Sequence, residues 1–124
     1  MVENSGASRL QARVQAAFFE AIGRMEAIID QETALLRENR AVELNDFNHR
    51  KQQGLLEINR MLRNFSQFDI QRIDRDRIGR LVLKLEANRQ ILAHHLKAMD
   101  EISNLVSRAM QEAESDGTYS RAGA

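Results

Sequence analysis

The stretch RIGRLVLKLEANRQILAHHLKAMDEISNLVSRAM, residues 77–110, decides the fold because its apolar residues recur every seven positions. One row contains Ile78, Leu85, Leu92, Met99 and Val106, and an interleaved row contains Leu81, Asn88, His95 and Ile102. A pattern held over about five heptads is typical of one long amphipathic helix. We therefore predict a helix from about residue 74 to about residue 114, with Asp74 as its N-cap.

Two more helices precede this one. Apolar residues from Leu10 to Leu36 recur at helical spacing and predict a helix over about residues 7–40, with Ser8 as N-cap and an end near Asn39. A second set predicts a helix over about residues 43–65, which Gly54 weakens by about 1 kcal/mol relative to alanine. The stretch NFSQFDIQRIDRD, residues 64–76, loses the clean periodicity and is expected to form a connection containing a turn of helix, which Asp74 closes.

Short connections between three long helices require neighbouring helices to run antiparallel. The predicted fold is therefore all-α, an elongated up-down-up bundle in which residues 1–124 form a single domain. Gly117 is a helix stop signal. Residues 115–124, SDGTYSRAGA, are accordingly expected to form a flexible C-terminal tail that carries Tyr119, the one tyrosine of the chain.

The composition excludes several classes of function. The chain has no cysteine, so disulfides, thiolate metal sites and cysteine nucleophiles are absent. Lys and Arg together number 18, as do Asp and Glu, so no overall positive field would gather nucleic acid or anionic lipid. No apolar run reaches the roughly 18 residues of a membrane span. The N-terminus also lacks the pattern of a secretory signal, and we expect a cytoplasmic protein with neither nucleic-acid binding nor membrane insertion.

Catalytic and metal-binding patterns are weak. His94, Leu96 and Lys97 resemble the His-x-Leu-Lys-Gly core of histidine phosphotransfer domains, but Ala98 stands where that family usually has glycine. No Glu-x-x-His pair of the kind that holds metals in helical bundles occurs. We expect no enzyme activity, no cofactor and no metal, and phosphotransfer through His94 remains the weaker alternative. Asn88 and His95 are expected to fix the register of the bundle.

The apolar stripe of the third predicted helix is wide, because Val82, Ile91, Leu96, Leu105 and Met110 flank its two heptad rows. Two shorter neighbours are not expected to cover this stripe along its full length. Its C-terminal half would then expose an apolar surface suited to a partner helix. Two alternatives stay open: the stripe is ordinary core, or it is the seam of a homodimer in a self-associating coiled-coil scaffold.

Three segments in order resemble the FlgN family of flagellar type III export chaperones. They are RMEAIIDQETALLRENRAVELNDFNHRKQQGLLEINRML (residues 24–62), LVLKLEANRQIL (residues 81–92) and GTYSRAGA (residues 117–124). The likeness covers about residues 15–123. The likeness consists of a Leu-rich helix ending in Glu, a second helix that begins near a Phe, a Lys followed by Leu-Leu-x-Ile, an Asn in the third helix and a closing Tyr-containing tail.

The resemblance implies a cytosolic bacterial chaperone. Members bind the C-terminal helical ends of the hook-filament junction proteins FlgK and FlgL, prevent their premature assembly, and deliver them to the export-gate protein FlhA. A tyrosine in the C-terminal part of such chaperones is associated with docking at the gate, and the matching residue is Tyr119. The expected cargo face consists of Leu96, Met99, Ile102, Leu105, Val106 and Met110. Its two methionines suit more than one cargo, because their side chains repack readily.

Overall fold

A computed structural model gives the backbone of residues 2–40 and 42–123 and the side chains of residues 6, 9–40 and 42–116. It contains four helices in the order α1 (Val2–Arg37), α2 (Leu44–Arg63), α3 (Gln67–Gln71) and α4 (Arg75–Gly123). No strand occurs within those residues, so the all-α prediction is confirmed. None of the helices, searched over the described residues, has the length and apolarity needed to cross a membrane.

The end of α1 follows from the conformation of Asn39, which has a φ of 54°. Arg40 N–H donates to the Leu35 carbonyl and Asn39 N–H donates to the Leu36 carbonyl, which is the Schellman arrangement. Asparagine tolerates this left-handed backbone better than most residues. The predicted end near Asn39 is confirmed. The predicted N-cap at Ser8 is wrong, because α1 already begins at Val2.

The connection between α2 and α4 contains the short helix α3, as the sequence predicted. Ser66 Oγ accepts from Asp69 N–H at 3.1 Å, and Asp69 Oδ2 accepts from Ser66 N–H at 2.9 Å. This capping box satisfies donors that the first turn of the helix leaves unpaired. Asp74 Oδ1 then accepts from the backbone N–H groups of Asp76 and Arg77. Asp74 therefore caps α4, as predicted.

The far end of α4 differs from the prediction. The helix was expected to stop near residue 114, with Gly117 as the stop signal, but its backbone is helical to Gly123. Residues 115–123 are therefore helical, where an irregular tail was predicted. A glycine inside a helix costs only about 1 kcal/mol, and the chain has no proline that would force an end. Gly117 alone was a weak stop signal.

Two compact units divide the chain, Met1–Arg89 and Gln90–Ala124, which we call the core unit and the C-terminal unit. The core unit contains α1, α2, α3 and the first part of α4. Its buried cluster comes mainly from α1, with one residue each from α2 and α4, and consists of Phe18, Ala21, Ile22, Met25, Ile29, Ile58 and Leu81. The apolar rows of three helices thus meet in one core.

Cross-helix pairs fix the helix directions in the core unit. On α1 and α2, Phe18 stacks edge-to-face on Phe65, and Glu32 pairs with Lys51, so sequence numbers rise on one helix as they fall on the other. Between α1 and α4 the numbers rise together, since Arg77 Nη2 donates to the Phe19 carbonyl and Asn88 donates to Glu32. Helix α1 is therefore antiparallel to α2 and parallel to the first part of α4, which gives up-down-up order.

Some residues of the predicted apolar rows lie at the surface. Leu55 and Leu62 of α2 and Leu10 of α1 are exposed, although helical spacing placed all three in the core. Leu10 lines an open cleft near α3 together with Val14 and Phe65. Leu55 and Leu62 are seven residues apart and therefore share one side of α2, and that side is exposed at both positions. A three-helix core is narrower than the apolar stripes of its helices, which leaves their margins unburied.

Candidate partner-binding surfaces

The predicted cargo face lies on the C-terminal unit and is fully open. Every described side chain from residue 96 to residue 116 is exposed. The six predicted cargo residues expose between 52% and 63% of their surface: Leu96, Met99, Ile102, Leu105, Val106 and Met110. Their steps of three, three, three, one and four residues place them on about half of the circumference of α4. We call these six residues the exposed face. Its contact with a partner stays a prediction.

Polar residues occupy the other side of the same helical stretch. They are Lys97, Asp100, Glu101, Asn104 and Arg108. An amphipathic helix of this kind gains stability when its apolar side is buried. Exposed contiguous apolar surface on one helix side is typical of a site for another protein. The arrangement can bind an amphipathic helix.

The predicted gate-docking residue, Tyr119, falls within the backbone range of α4. Its side chain lies outside the described residues, so the docking role remains a prediction. Tyr119 was expected on an irregular tail, whereas the backbone at this position is helical.

The two histidines of the third predicted helix differ in solvent exposure. His94 is exposed and His95 is half-buried, which agrees with the heptad positions assigned to them. Among the described residues, no three His, Cys, Asp or Glu side chains lie close enough together to hold a metal ion. Phosphotransfer through His94 stays a prediction.

A buried polar network lies inside the core unit. Lys51 Nζ contacts Glu32 Oε1 at 2.7 Å and donates to Asn88 Oδ1 at 3.1 Å. Asn88 Nδ2 donates to Glu32 Oε1 and to Thr33 Oγ1, both at 3.0 Å. Only 1% of the Glu32 side chain is exposed. The four residues come from α1, α2 and α4, so the network joins all three long helices.

This network assigns a structural role to the polar heptad position. Sequence spacing indicated that Asn88 faces inward and fixes register, and its hydrogen bonds to both α1 and α2 are consistent with that role. The spacing gave no sign of Glu32 and Lys51, because an acidic and a basic residue on two helices look like solvated surface. A buried charge requires a partner, and Glu32 has both Lys51 and Asn88.

A second, more exposed set of ion pairs joins α1 to α4. Lys84 Nζ lies 2.8 Å from Asp30 Oδ2 and 3.1 Å from Glu26 Oε2. Asp30, and after it Glu26, raises the pKa of Lys84 above its ordinary value. The side chains of Lys84 and Asp30 remain in contact with water, so these pairs orient the helices more than they stabilise them.

A groove between α2 and the first part of α4 is the second candidate surface. It encloses about 560 Å³ and lies wholly within the core unit. Its lining combines apolar, amide and charged residues: Leu55, Val82, Leu83, Leu85, Asn48, Gln52, Asn88, Lys51, Glu86 and Arg89. Val82 is 57% exposed and Leu83 is 70% exposed. We call this the α2/α4 groove. The sequence pointed to Val82 only as a margin of the stripe.

Comparisons with protein-family models, curated proteins and solved structures found no match to this chain. The resemblance to the FlgN family therefore rests on the quoted segments alone, and the family assignment is a hypothesis.

Proposed function

We propose that the chain is a cytoplasmic bacterial export chaperone of the FlgN type. Its exposed face binds the C-terminal helices of FlgK and FlgL, keeps them from assembling early, and delivers them to FlhA. It acts without catalysis, metal or cofactor. The observation that carries the proposal is the exposed face itself: six large apolar side chains in helical register, with the described side chains from residue 96 to residue 116 all exposed.

A partner that covers this face would bury several large apolar side chains. Fully burying a Leu, Ile, Val or Met side chain contributes about 1.5–3 kcal/mol each. Binding offsets this gain with losses of translational and conformational freedom, and a surface of several such side chains supports affinity in the micromolar range or tighter. An unfolded cargo end that becomes helical on contact matches the surface, because it supplies an apolar stripe of the same period.

The test is a titration with peptides from the C-terminal ends of FlgK and FlgL, followed by circular dichroism. We expect micromolar or tighter binding with a gain of helix, and at least tenfold weaker binding by Leu105→Asp. The matched control is Asn104→Asp, which introduces the same residue on the adjacent polar side and should bind like the unaltered protein. Failure of the folded protein to bind either peptide would contradict the proposal.

Tyr119 is proposed as the contact with FlhA. An aromatic side chain contributes a large contact area at a small cost in conformational entropy, which suits a transient contact. Tyr119→Ala should weaken binding to the cytoplasmic domain of FlhA and leave cargo affinity unchanged. Thr118→Ala, which alters the preceding residue, serves as its control.

The rival proposal is a self-associating scaffold that uses the same exposed face. Such a protein would have no affinity for the cargo peptides, so the titration also separates these two functions. Phosphotransfer through His94 is tested by His94→Ala, whose full retention of function would exclude it.

A further inference from the structure

We propose that Met99 and Met110 are sites of reversible oxidation, and that a peroxide switches off the exposed face as a binding surface by converting both thioethers into sulfoxides. The oxidation itself does not depend on what the face binds. Its consequence for cargo rests on the proposed function.

Methionine supplies all the sulfur of this chain, which has five methionines and no cysteine. In the core unit, Met25 is 1% exposed and Met61 is half-buried against the core cluster. In the C-terminal unit, Met99 is 55% exposed and Met110 is 60% exposed. An oxidant has to reach the sulfur, so these two should react first among the four methionines whose side chains the structure describes.

The two exposed methionines lie along one line of α4. They are eleven residues apart, which is close to three full turns, so their side chains project in nearly the same direction about 16 Å apart along the helix axis. Val106, seven residues after Met99, lies close to the same line and is also exposed. A partner helix that packs along this line therefore contacts both thioethers.

Oxidation of a thioether by hydrogen peroxide needs no other reactant. The sulfur lone pair attacks one peroxide oxygen, and the S–O bond forms as the O–O bond breaks. The departing hydroxide takes the proton of the transferred oxygen and leaves as water. The sulfur loses two electrons, which the peroxide gains. The product is methionine sulfoxide, and methionine sulfoxide reductases return it to the thioether.

A sulfoxide reverses the character of a methionine side chain. The thioether is apolar and flexible and packs readily against another helix, whereas the sulfoxide is polar. The apolar stripe of a partner helix offers no donor to the sulfoxide oxygen, and burial of a polar group without a hydrogen bond is unfavourable. We therefore expect a cargo helix to bind the doubly oxidised face roughly tenfold or more weakly.

The core unit should keep its fold under the same treatment. Met25 is fully buried, so a peroxide reaches its sulfur only when the chain unfolds. Oxidation then changes the binding surface and leaves the helices of the core unit intact. This separation of a protected core from an oxidisable surface distinguishes a reversible switch from general oxidative damage.

Peptide mapping by mass spectrometry, after brief treatment of the full chain with hydrogen peroxide, tests the sites. We expect Met99 and Met110 to oxidise severalfold faster than Met61 and roughly tenfold or more faster than Met25. In urea these differences should disappear. Met1 lies outside the described residues and is mapped separately. Oxidation of Met25 or Met61 in the folded chain as fast as that of the two exposed methionines would overturn the proposal.

Hydrophobic interaction chromatography measures the change in the face without any partner. We expect the oxidised chain to elute earlier than the untreated chain, and methionine sulfoxide reductase with a thiol reductant to restore the retention. The double variant Met99→Leu, Met110→Leu keeps the face apolar without sulfur, so its retention should not respond to peroxide. Met61→Leu is the matched control and should respond like the unaltered chain. Unchanged retention of the oxidised wild type, or an equal shift in the double variant, would overturn the proposal.

Titration with the FlgK and FlgL peptides separates this proposal from the proposed function. The oxidised wild type should bind roughly tenfold or more weakly, and the peroxide-treated double variant should bind like the untreated chain. Undiminished binding by the oxidised wild type would overturn the switch and leave the chaperone function standing. Absence of binding by the untreated, folded chain would reject the chaperone function, whereas the mapped sites and the retention shift would still support oxidation of the face.

Discussion

Helix α1 and the stretch 96–110 of α4 carry equally regular apolar rows, but their surroundings in the chain differ completely. Phe18, Ile22 and Met25 are 0–1% exposed, whereas Met99, Ile102 and Val106 are each more than half exposed. Periodicity shows that a face of a helix is apolar, and it does not show whether this chain or another molecule covers that face. This difference locates the surface on which both proposals depend.

The largest predicted effect contrasts one buried and one exposed apolar residue. Phe18→Ala removes a ring that packs on Phe19 and Phe65, and we expect it to lower the free energy of unfolding by about 3–5 kcal/mol. Ile102→Ala should change it by less than about 0.5 kcal/mol at concentrations where the chain is monomeric. Urea unfolding measures both. A cost above about 2 kcal/mol for Ile102→Ala would show that residue 102 is buried within the monomer.

Substituting a buried and an exposed lysine compares the same two regions through their charged residues. Lys51→Met leaves Glu32 buried without its cation, and we expect a loss of about 3 kcal/mol. Lys97→Met, on the exposed side of α4, should change the stability by less than about 0.5 kcal/mol. The double variant Glu32→Met, Lys51→Met should recover part of the loss, since it removes both charges. Equal effects of the two single variants would contradict the buried network.

Two glycines give the smallest effects, and they differ in sign. A Cβ added at Gly54 would lie 2.9 Å from Sδ of the buried Met25, so the Met25 side chain would have to shift to accept it. Gly54→Ala should therefore lower the stability by about 1 kcal/mol, although alanine is the better helix former. A Cβ at Gly79 meets open space, so Gly79→Ala should raise the stability of the monomer by about 0.5–1 kcal/mol. Thermal unfolding at low protein concentration measures both changes. If both variants were stabilised, or both destabilised, the packing described around Gly54 and Gly79 would be contradicted.

The sequence predicted the fold better than it predicted the surfaces. The helical spacing of apolar residues identified the three long helices, and the residues Asp74 and Asn39 identified two helix ends, because capping is a local effect. The predicted end of the last helix was wrong, because Gly117 is a weak stop signal and the helix continues through it. The sequence also misplaced Leu55 and Leu62, since the number of helices that cover α2 is a property of the tertiary packing.

The polar core was predicted only in part. Asn88 stood out because a polar residue interrupts a heptad row. Glu32 and Lys51 did not stand out, since charged residues at the edge of a stripe are common on solvated helices, and only the packing of α1 against α2 brings them together. The exposed face could be predicted from the width of its stripe, whereas the α2/α4 groove could not, because it depends on two helices at once.

Hydrogen exchange by mass spectrometry, with and without the FlgL C-terminal peptide, tests the central claim most directly. At dilutions where the chain is monomeric, we predict slow exchange for residues 18–36 in both states and fast exchange for residues 96–110 that slows markedly with peptide. Protection of residues 96–110 in the free monomer, or peptide binding that leaves their exchange unchanged, would contradict the assignment of this face to a partner helix.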